Sequence, residues 1–297
     1  MLKRVLLSAA LLPLIYAVVM YAPLSWFCVL AASVAVMCHF EFISMYALKT
    51  SDSLKNPDAL NNPDALNNPD ALNNPDALKS TYSLKTALKY VSSLTAAIPV
   101  WLTFRYGEIP TIALVLLFTW ILWMRLFSGM EPESALRDVS VLWVGMFYTA
   151  VLPSYFIKLH AIGPQAVIYL AFTIWGADAM AYFTGKAVGR HKLAPRTSPN
   201  KTVEGAAGAL AGGVIVSLLM SYAFGLSLSA GKAAFIGLTL AVVGIIGDLV
   251  ESMFKRDAGV KDAGSLIPGH GGMLDKLDGM LFSAPVFYYL LIFINRG

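Results

Sequence analysis

Charged residues are scarce in this chain: only 13% of its 297 residues are Asp, Glu, Lys or Arg. A soluble domain carries about a quarter of its residues as charges, and no stretch here is both polar enough and long enough to fold as one. The shortage of charge therefore excludes a soluble enzyme that is merely attached to a membrane. Because 57% of the residues are hydrophobic and apolar runs extend from end to end, we predict a single membrane domain over residues 1–297.

Cysteine is nearly absent as well. The only two, Cys28 and Cys38, lie in the same apolar run, which argues against a disulfide framework. We interpret both as small buried hydrophobic residues.

Nine apolar runs each approach the roughly 20 residues that a helix needs to cross a bilayer. The predicted fold class is therefore all-α, a polytopic membrane protein with about nine transmembrane helices. The first run follows Lys3 and Arg4, as in a cleaved signal peptide, but a second run comes almost at once and favours a retained helix. The predicted spans are 1–21, 24–47, 87–105, 109–128, 138–157, 163–185, 204–226, 232–253 and 279–295.

Basic residues are unevenly shared between the connecting segments. With a cytoplasmic N-terminus, all but four of the 22 Lys and Arg fall in segments on the inside, which is the positive-inside pattern. This predicts an inner-membrane protein whose polar stretch, residues 247–279, lies at the cytoplasmic face. The four exceptions are Arg105, Lys158, Lys232 and Arg296.

A low-complexity insert, residues 51–80, separates the second and third predicted spans. The hexapeptide NPDALN recurs in it, and a proline every six residues prevents a continuous long helix. The insert is either a partner-binding segment or an expanded tract in a tolerant cytoplasmic loop, and its composition favours the second interpretation.

The charges of the polar stretch begin at the end of the eighth predicted span. On a helix, Asp248, Glu251, Ser252 and Lys255 occupy positions i, i+3, i+4 and i+7 of one face. A structural ion pair between helices is one interpretation of this stripe. Since charge at membrane depth is costly and usually functional, we favour a site.

A glycine-rich segment, Pro268–Gly272, leads into the ninth predicted span. Glycines allow backbone N–H groups to approach an anion, and a helix start adds partial positive charge. Asp275 and Asp278 follow on the first turns of that helix, where acids also serve as helix caps. Carboxylates from two helices with few soft ligands favour Mg²⁺, which takes one or two carboxylates plus substrate phosphates.

A second cluster begins on the sixth predicted span, where Asp178 and Tyr182 share one helical face. Further along, Ser198 or Thr202 can cap the seventh helix, with Lys201 at its start. An ordinary positive-inside loop is the alternative interpretation. The glycines that follow in the seventh span indicate close helix packing.

One segment, Ser252–Asp278, closely resembles the signature of the CDP-diacylglycerol synthase family, also called phosphatidate cytidylyltransferases, and the segments around Trp175–Asp178 and Ser198–Gly205 also look like that family. Segment Ser252–Asp278 contains SMFKR, then KD, then PGHGGMLDKLD, and the resemblance covers roughly the C-terminal 40 per cent of the chain. Lys276 stands where the family usually has arginine, and lysine lacks the planar fork that binds phosphate in bidentate fashion. We predict that residues 170–285 form the catalytic part.

The resemblance implies conversion of CTP and phosphatidate to CDP-diacylglycerol and pyrophosphate in phospholipid biosynthesis. It implies a dimeric, Mg²⁺-dependent enzyme of the lipid bilayer with no nucleic-acid partner, and metal ligands at Asp248 and Asp275, with K⁺ as an option for a second cation. Asp248, Lys255 and Asp275 are the predicted catalytic residues. The predicted substrate-binding residues are Asp178, Lys201, Ser252, Arg256, Lys261, Asp262, His270, Gly271, Gly272, Lys276 and Asp278.

Two other functions fit parts of the sequence. A CTP-dependent polyisoprenol kinase would need the same phosphate and cation chemistry. A transporter could relay ions through intramembrane Asp178 and Asp248, although the charges crowd one interface and no inverted repeat is visible.

If the insert is a tolerant loop, deletion of residues 61–78 should leave CTP-dependent transfer and folding essentially unchanged. The measurement compares specific activity and the size-exclusion profile of the deleted and full-length proteins. A loss of folding or turnover in the deleted protein would instead make the repeat a structural element.

Overall fold

Apolar runs of membrane-spanning length fold as helices because a helix satisfies its backbone polar groups internally. The structure, a computed structural model, describes residues 13, 15–55, 86–128, 130, 132–226, 228–264 and 271–296, with side chains for all of these except 47–55, 295 and 296. Most of the first predicted span lies outside the described residues, as does the insert from residue 56 to residue 80. The first residues of the insert, 51–55, continue a helix.

Besides helical residues at 15–21 and 86–95, the described part of the chain has nine α-helices, numbered below, and one short hairpin. A 3₁₀ turn (Pro132–Ser134) precedes the fourth helix and a π-helical turn (Phe147–Val151) continues it. The strands are β1 (Lys192–Ala194) and β2 (Ser198–Thr202). The helices are α1 (Leu24–Lys55), α2 (Ala97–Tyr106), α3 (Thr111–Leu126), α4 (Ala135–Met146), α5 (Ser154–Ile162), α6 (Pro164–Val188), α7 (Val203–Ala223), α8 (Ala230–Ala258) and α9 (Leu274–Arg296).

Seven helical stretches among the described residues are long and apolar enough to cross a membrane. This confirms the predicted all-α, multi-pass fold class. The span predicted at 138–157 lies inside a longer stretch, Pro132–Ile162, whereas the span predicted at 109–128 is the shorter helix α3. The total of nine crossings stays a prediction. The seven stretches are Leu24–Tyr46, Thr86–Tyr106, Pro132–Ile162, Pro164–Val188, Val203–Ala223, Ala230–Ala258 and Leu274–Ile294.

Helices α6, α7 and α8 approach one another at glycines, as the seventh predicted span indicated. A Cβ added at Gly212 would lie 2.7 Å from the Met180 side chain of α6. One added at Gly213 would lie 2.7 Å from the carbonyl oxygen of Gly237 in α8. Small residues at these contacts bring the backbones together, which is how helices pack closely in a membrane.

The connection from α6 to α7 is an antiparallel hairpin, where the sequence suggested only a loop. Lys192 pairs with Thr202 across the two strands. The Thr202 hydroxyl then accepts the Gly205 N–H at 3.0 Å, which confirms Thr202 as the cap of α7. Glu204 accepts the backbone N–H of Arg190 at 3.0 Å and so holds the entry to the hairpin against α7.

Basic residues predicted on the outside share one end of the bundle. Lys232 Nζ donates to the Ile294 carbonyl at 3.3 Å, and Lys158 Nζ lies 5.1 Å from the Tyr288 ring centre. The hairpin and the last turns of α8 meet at the opposite end, where Arg256 Nε donates to the Thr197 carbonyl at 3.3 Å. Lys158 and Lys232 therefore lie near the end of α9, away from Arg256 and the hairpin.

Gly213→Val should lower the thermal unfolding midpoint of the detergent-solubilised protein. The new side chain would meet the Gly237 carbonyl at 2.7 Å and the Ala241 Cβ at 2.8 Å, and such overpacking costs about 1–3 kcal/mol. Gly231→Val is the matched control, because a Cβ there has nothing within 4 Å. Equal midpoints for the two variants would contradict the close packing of α7 on α8.

Candidate functional site

The polar stripe predicted on α8 exists as a set of side-chain contacts. Ser252 Oγ donates to Asp248 Oδ1 at 3.4 Å, and Lys255 Nζ donates to Glu251 Oε2 at 2.8 Å. Both pairs are four residues apart, so they follow from the helical repeat. The stripe faces α9, since a Cβ at Gly247 would lie 2.8 Å from the Asp278 carbonyl oxygen.

Three carboxylates gather where the stripe meets α9. One oxygen each from Asp248, Glu251 and Asp278 lies within 4.8 Å of the other two. Glu251 is fully buried, and among the residues that the structure describes its Oε1 atom has no hydrogen-bond partner. Like charges at this spacing repel one another unless a cation or a proton lies between them.

Lys255 connects this cluster to Asp275. Its ammonium donates to Glu251 at 2.8 Å and to Asp275 Oδ1 at 2.9 Å, and only 14% of its side chain is exposed. The three residues form a buried chain of alternating charge that joins α8 to the start of α9. One cation therefore balances two of the four acids of the α8–α9 interface.

Asp275 was predicted to share a metal with Asp248. In the structure its carboxylate accepts the backbone N–H groups of Ala263 at 3.2 Å and of Gly272 at 3.0 Å, besides the ammonium of Lys255. Hydrogen-bond donors thus occupy both carboxylate oxygens of Asp275, which joins Ala263 to Gly272 within the α8–α9 connection. Its role as a metal ligand stays a prediction.

Helix α6 and the hairpin complete the cluster. Lys201, at the end of β2, forms an ion pair with Asp248 Oδ2. Asp178 of α6 is exposed and lies within electrostatic range of Asp248 and Lys201. The structure therefore brings together predicted residues from four elements, α6, β2, α8 and α9.

The other predicted substrate-binding residues surround this core. Gly271 adopts the left-handed conformation, with φ of 86°, which favours glycine, and Gly272 donates to Asp275. Arg256 binds the hairpin carbonyl described above. Lys261, Asp262 and Lys276 are exposed, whereas His270 lies outside the described residues.

Two buried carboxylates were missing from the predicted site residues. Glu251 was recognised as part of the stripe but was not assigned a role. Glu41, in α1, is 1% exposed and accepts the Leu274 N–H at 2.9 Å. The available signal was its charge, because Glu41 is the single Asp, Glu, Lys or Arg among residues 24–47.

The cluster of Asp248, Glu251 and Asp278 fits a hard divalent cation. It offers only oxygen donors, which Mg²⁺ prefers, and one of them, Glu251 Oε1, is buried without a donor among the described residues. The neighbouring cations are Lys201, which pairs with Asp248, and Lys255, which pairs with Glu251, and a lysine ammonium can also bind phosphate oxygens. This set of groups suits chemistry on phosphate esters.

A sequence model described as the Cytidylyltransferase family matches residues 77–294. The chain is also similar to curated proteins named phosphatidate cytidylyltransferase. One from Synechocystis is 38% identical over 194 residues, which cover 55% of this chain and 66% of the relative. One from Bacillus subtilis is 37% identical over 191 residues, covering 62% and 67%. One from Thermotoga maritima is 35% identical over 187 residues, covering 61% and 69%. The chain thus spans about two thirds of the length of these relatives.

Lys255→Met should destabilise the protein by about 3–5 kcal/mol, because it leaves the buried Glu251 carboxylate without its counter-charge. Adding Glu251→Gln should recover part of this loss, since a neutral amide needs no cation. Denaturant titration of the solubilised protein measures both effects.

The exposed Lys261→Met is the control for loss of a lysine and should unfold like the wild type. Wild-type stability of Lys255→Met would contradict the structural importance of the buried charge chain.

Proposed function

Because the chain belongs to the cytidylyltransferase family, we propose that it is a membrane nucleotidyltransferase that converts CTP and phosphatidate to CDP-diacylglycerol and pyrophosphate. The names of the relatives support this substrate pair. The observation that carries the proposal is the cluster of Asp248, Glu251 and Asp278 beside Lys201 and Lys255 at one end of the helical bundle. Soluble CTP and the phosphate group of a membrane lipid can meet at such a place.

The proposed reaction is a direct displacement at phosphorus. An oxygen of the phosphatidate phosphate forms a bond to the α-phosphorus of CTP. The bond from that phosphorus to the oxygen bridging to the β-phosphate breaks, and pyrophosphate leaves with the electron pair. No covalent enzyme intermediate is required, so the protein contributes alignment and charge stabilisation.

Lysines of this chain would align the two polyanions. Lys201 pairs with Asp248 in the structure, so its ammonium already lies at the acidic cluster and can turn to a phosphate oxygen once another cation neutralises Asp248. Arg256 holds the hairpin through Thr197, which keeps Lys201 near the cluster. Lys261 and Lys276, both exposed, would attract the triphosphate from solution.

Mg²⁺ would be held by Asp248, Glu251 and Asp278, and when bound it would neutralise charge on the phosphate oxygens. Lys255 stabilises the site from behind, because it balances Glu251 and Asp275 within the interface. The proposal keeps K⁺ as a second cation and Asp275 as a direct metal ligand. To bind a metal, Asp275 would first have to lose hydrogen bonds from its present donors.

We place the site at the cytoplasmic face of the inner membrane. The separation of the basic residues between the two ends of the bundle supports this orientation. CTP would then enter from the cytoplasm, and phosphatidate would enter sideways from the inner leaflet. A homodimer in the bilayer is also proposed, from the family resemblance alone.

Transfer from labelled CTP to phosphatidate in detergent micelles tests the proposed function. CTP labelled at the α-phosphate should place its label in the lipid phase in the presence of Mg²⁺, and CTP labelled at the γ-phosphate should not. In micelles that contain a polyisoprenol instead of phosphatidate, label from the γ-phosphate alone would identify a CTP-dependent kinase. Ion flux into liposomes without nucleotide, together with no transfer, would favour a transporter.

Asp248→Asn and Asp278→Asn should each lower turnover by at least about 100-fold, since even residues that only orient a metal ligand cost about 10–100-fold. Each change keeps the size of the side chain and removes its charge. Glu108→Gln, an exposed acid before α3, is the control.

Asp275→Asn separates the two assignments of the metal ligands. If Asp275 binds the cation, the Mg²⁺ concentration for half-maximal turnover should rise as it does in Asp278→Asn. If Asp275 only anchors the connection, turnover should fall at an unchanged Mg²⁺ requirement. Wild-type turnover in Asp248→Asn at saturating Mg²⁺ would contradict the proposed site.

A further inference from the structure

The carboxylate of Glu41 makes a contact between distant parts of the chain. Its Oε2 atom accepts the Leu274 N–H at 2.9 Å, across 233 residues of sequence. Leu274 is the first residue of α9, so its N–H is one of the donors that a helix cannot satisfy within itself. Negative charge at a helix N-terminus is also favourable, so Glu41 supports the start of α9 in two ways.

Two glycines of the α8–α9 connection, Gly264 and Gly272, lie against the same carboxylate. A Cβ at Gly264 would lie 2.7 Å from Glu41 Oε1, and one at Gly272 would lie 2.8 Å from Oε2. Real Cβ atoms do not approach other atoms this closely, so each glycine leaves space that Glu41 fills. This gives Gly272 a packing role next to Glu41, in addition to the predicted role in binding phosphate.

Glu41 and Asp275 both lie against Gly272, since a Cβ there would be 2.8 Å from Glu41 Oε2 and 3.0 Å from Asp275 Oδ2. The backbone N–H groups of Ala263 and Gly272 donate to Asp275 at 3.2 Å and 3.0 Å, while Glu41 packs against the adjoining Gly264 and accepts from Leu274. Asp275 in turn binds Lys255, and Lys255 binds Glu251 of the acidic cluster. A continuous chain of contacts therefore joins α1 to the proposed cation site.

We propose that Glu41 is a positioning residue of the transferase site: its carboxylate fixes the start of α9 and thereby the place of Asp275 and Asp278 opposite Asp248 and Glu251. The proposal rests on the proposed function, because it assigns Glu41 a part in that site. Glu41 precedes the region that the family model matches, residues 77–294. A purely space-filling role would need no charge, and burying one without such contacts is costly in an apolar interior.

Glu41→Gln tests the proposal because it keeps the volume of the side chain and removes the charge. We expect hydrogen exchange of residues 271–277 to become faster, while the thermal midpoint stays close to that of the wild type. Affinity for Mn²⁺, measured by electron paramagnetic resonance without substrate, and kcat should each fall about 10- to 100-fold. The KM for phosphatidate should not change. Glu133→Gln, an exposed acid in the 3₁₀ turn, is the control.

A second pair of variants keeps the test decisive if Glu41→Gln fails to fold. Gly264→Ala adds a methyl group that displaces the carboxylate and should reproduce the loss of Mn²⁺ affinity and kcat. Glu41→Asp withdraws the carboxylate by one methylene from the Leu274 N–H, so it should also lose Mn²⁺ affinity and kcat although the charge remains. Gly231→Ala, where nothing lies within 4 Å of the added Cβ, is the control for an added methyl group.

The outcomes separate this proposal from the proposed function. Wild-type exchange at 271–277, with wild-type Mn²⁺ affinity and kcat in Glu41→Gln, would overturn the role of Glu41. Faster exchange with no change in affinity or kcat would also overturn it, since Glu41 would then hold the connection without serving the site. If the wild-type protein transfers no label from CTP, the proposed function fails, while exchange and Mn²⁺ affinity still decide whether Glu41 positions the acidic cluster.

Discussion

Full burial of the Glu251 carboxyl group is the constraint on which the rest of the site depends. Moving an ion out of water costs several kcal/mol even after relaxation, and the chain supplies Lys255 one helical turn away to offset it. Lys255 also binds Asp275, so the same ammonium attaches α9 to α8. These charges interact strongly because their surroundings have a low dielectric constant. The ion pairs of Lys255 therefore resist any change in the distance between α8 and α9 at the acidic cluster.

The close packing of α6, α7 and α8 also positions the acidic cluster, because it fixes the hairpin that carries Lys201. Glycines at the contacts, Gly212, Gly213 and Gly237, let the backbones approach until side chains from neighbouring helices face each other. The hairpin between α6 and α7 then has a fixed position at the end of the bundle, and its last strand brings Lys201 to Asp248. These glycines thus help to determine where Lys201 and Asp248 meet.

Features that depend on neighbours in sequence could be predicted. The stripe from Asp248 to Lys255 follows from the period of the helix. The chemistry of a hydroxyl group before a helix start left Ser198 and Thr202 as candidate caps of α7, and the structure shows Thr202 in that role. The partners of Asp275 and Asp278 could not be predicted, because both acids lie on the first turns of α9 and the rotation of that helix is set by tertiary contacts. Lys255 binds Asp275 and leaves Asp278 beside Asp248 and Glu251. The hairpin was not predicted because its two strands, three and five residues long, are too short to give a clear alternating pattern.

Glu41 shows why the catalytic part predicted over residues 170–285 does not contain all the contacts that hold its acids. The sequence shows an unusual residue, a lone carboxylate in an apolar run, but no neighbouring residue in the sequence indicates what it binds. That partner is a backbone N–H, which every residue type except proline supplies, so no sequence motif at Leu274 could indicate the contact. The first turn of α9 needs acceptors for its N–H groups, and Asp275 accepts the N–H of Gly272 rather than that of Leu274. The start of the helix that carries Asp275 and Asp278 is therefore completed by α1, from outside the region that the family match covers.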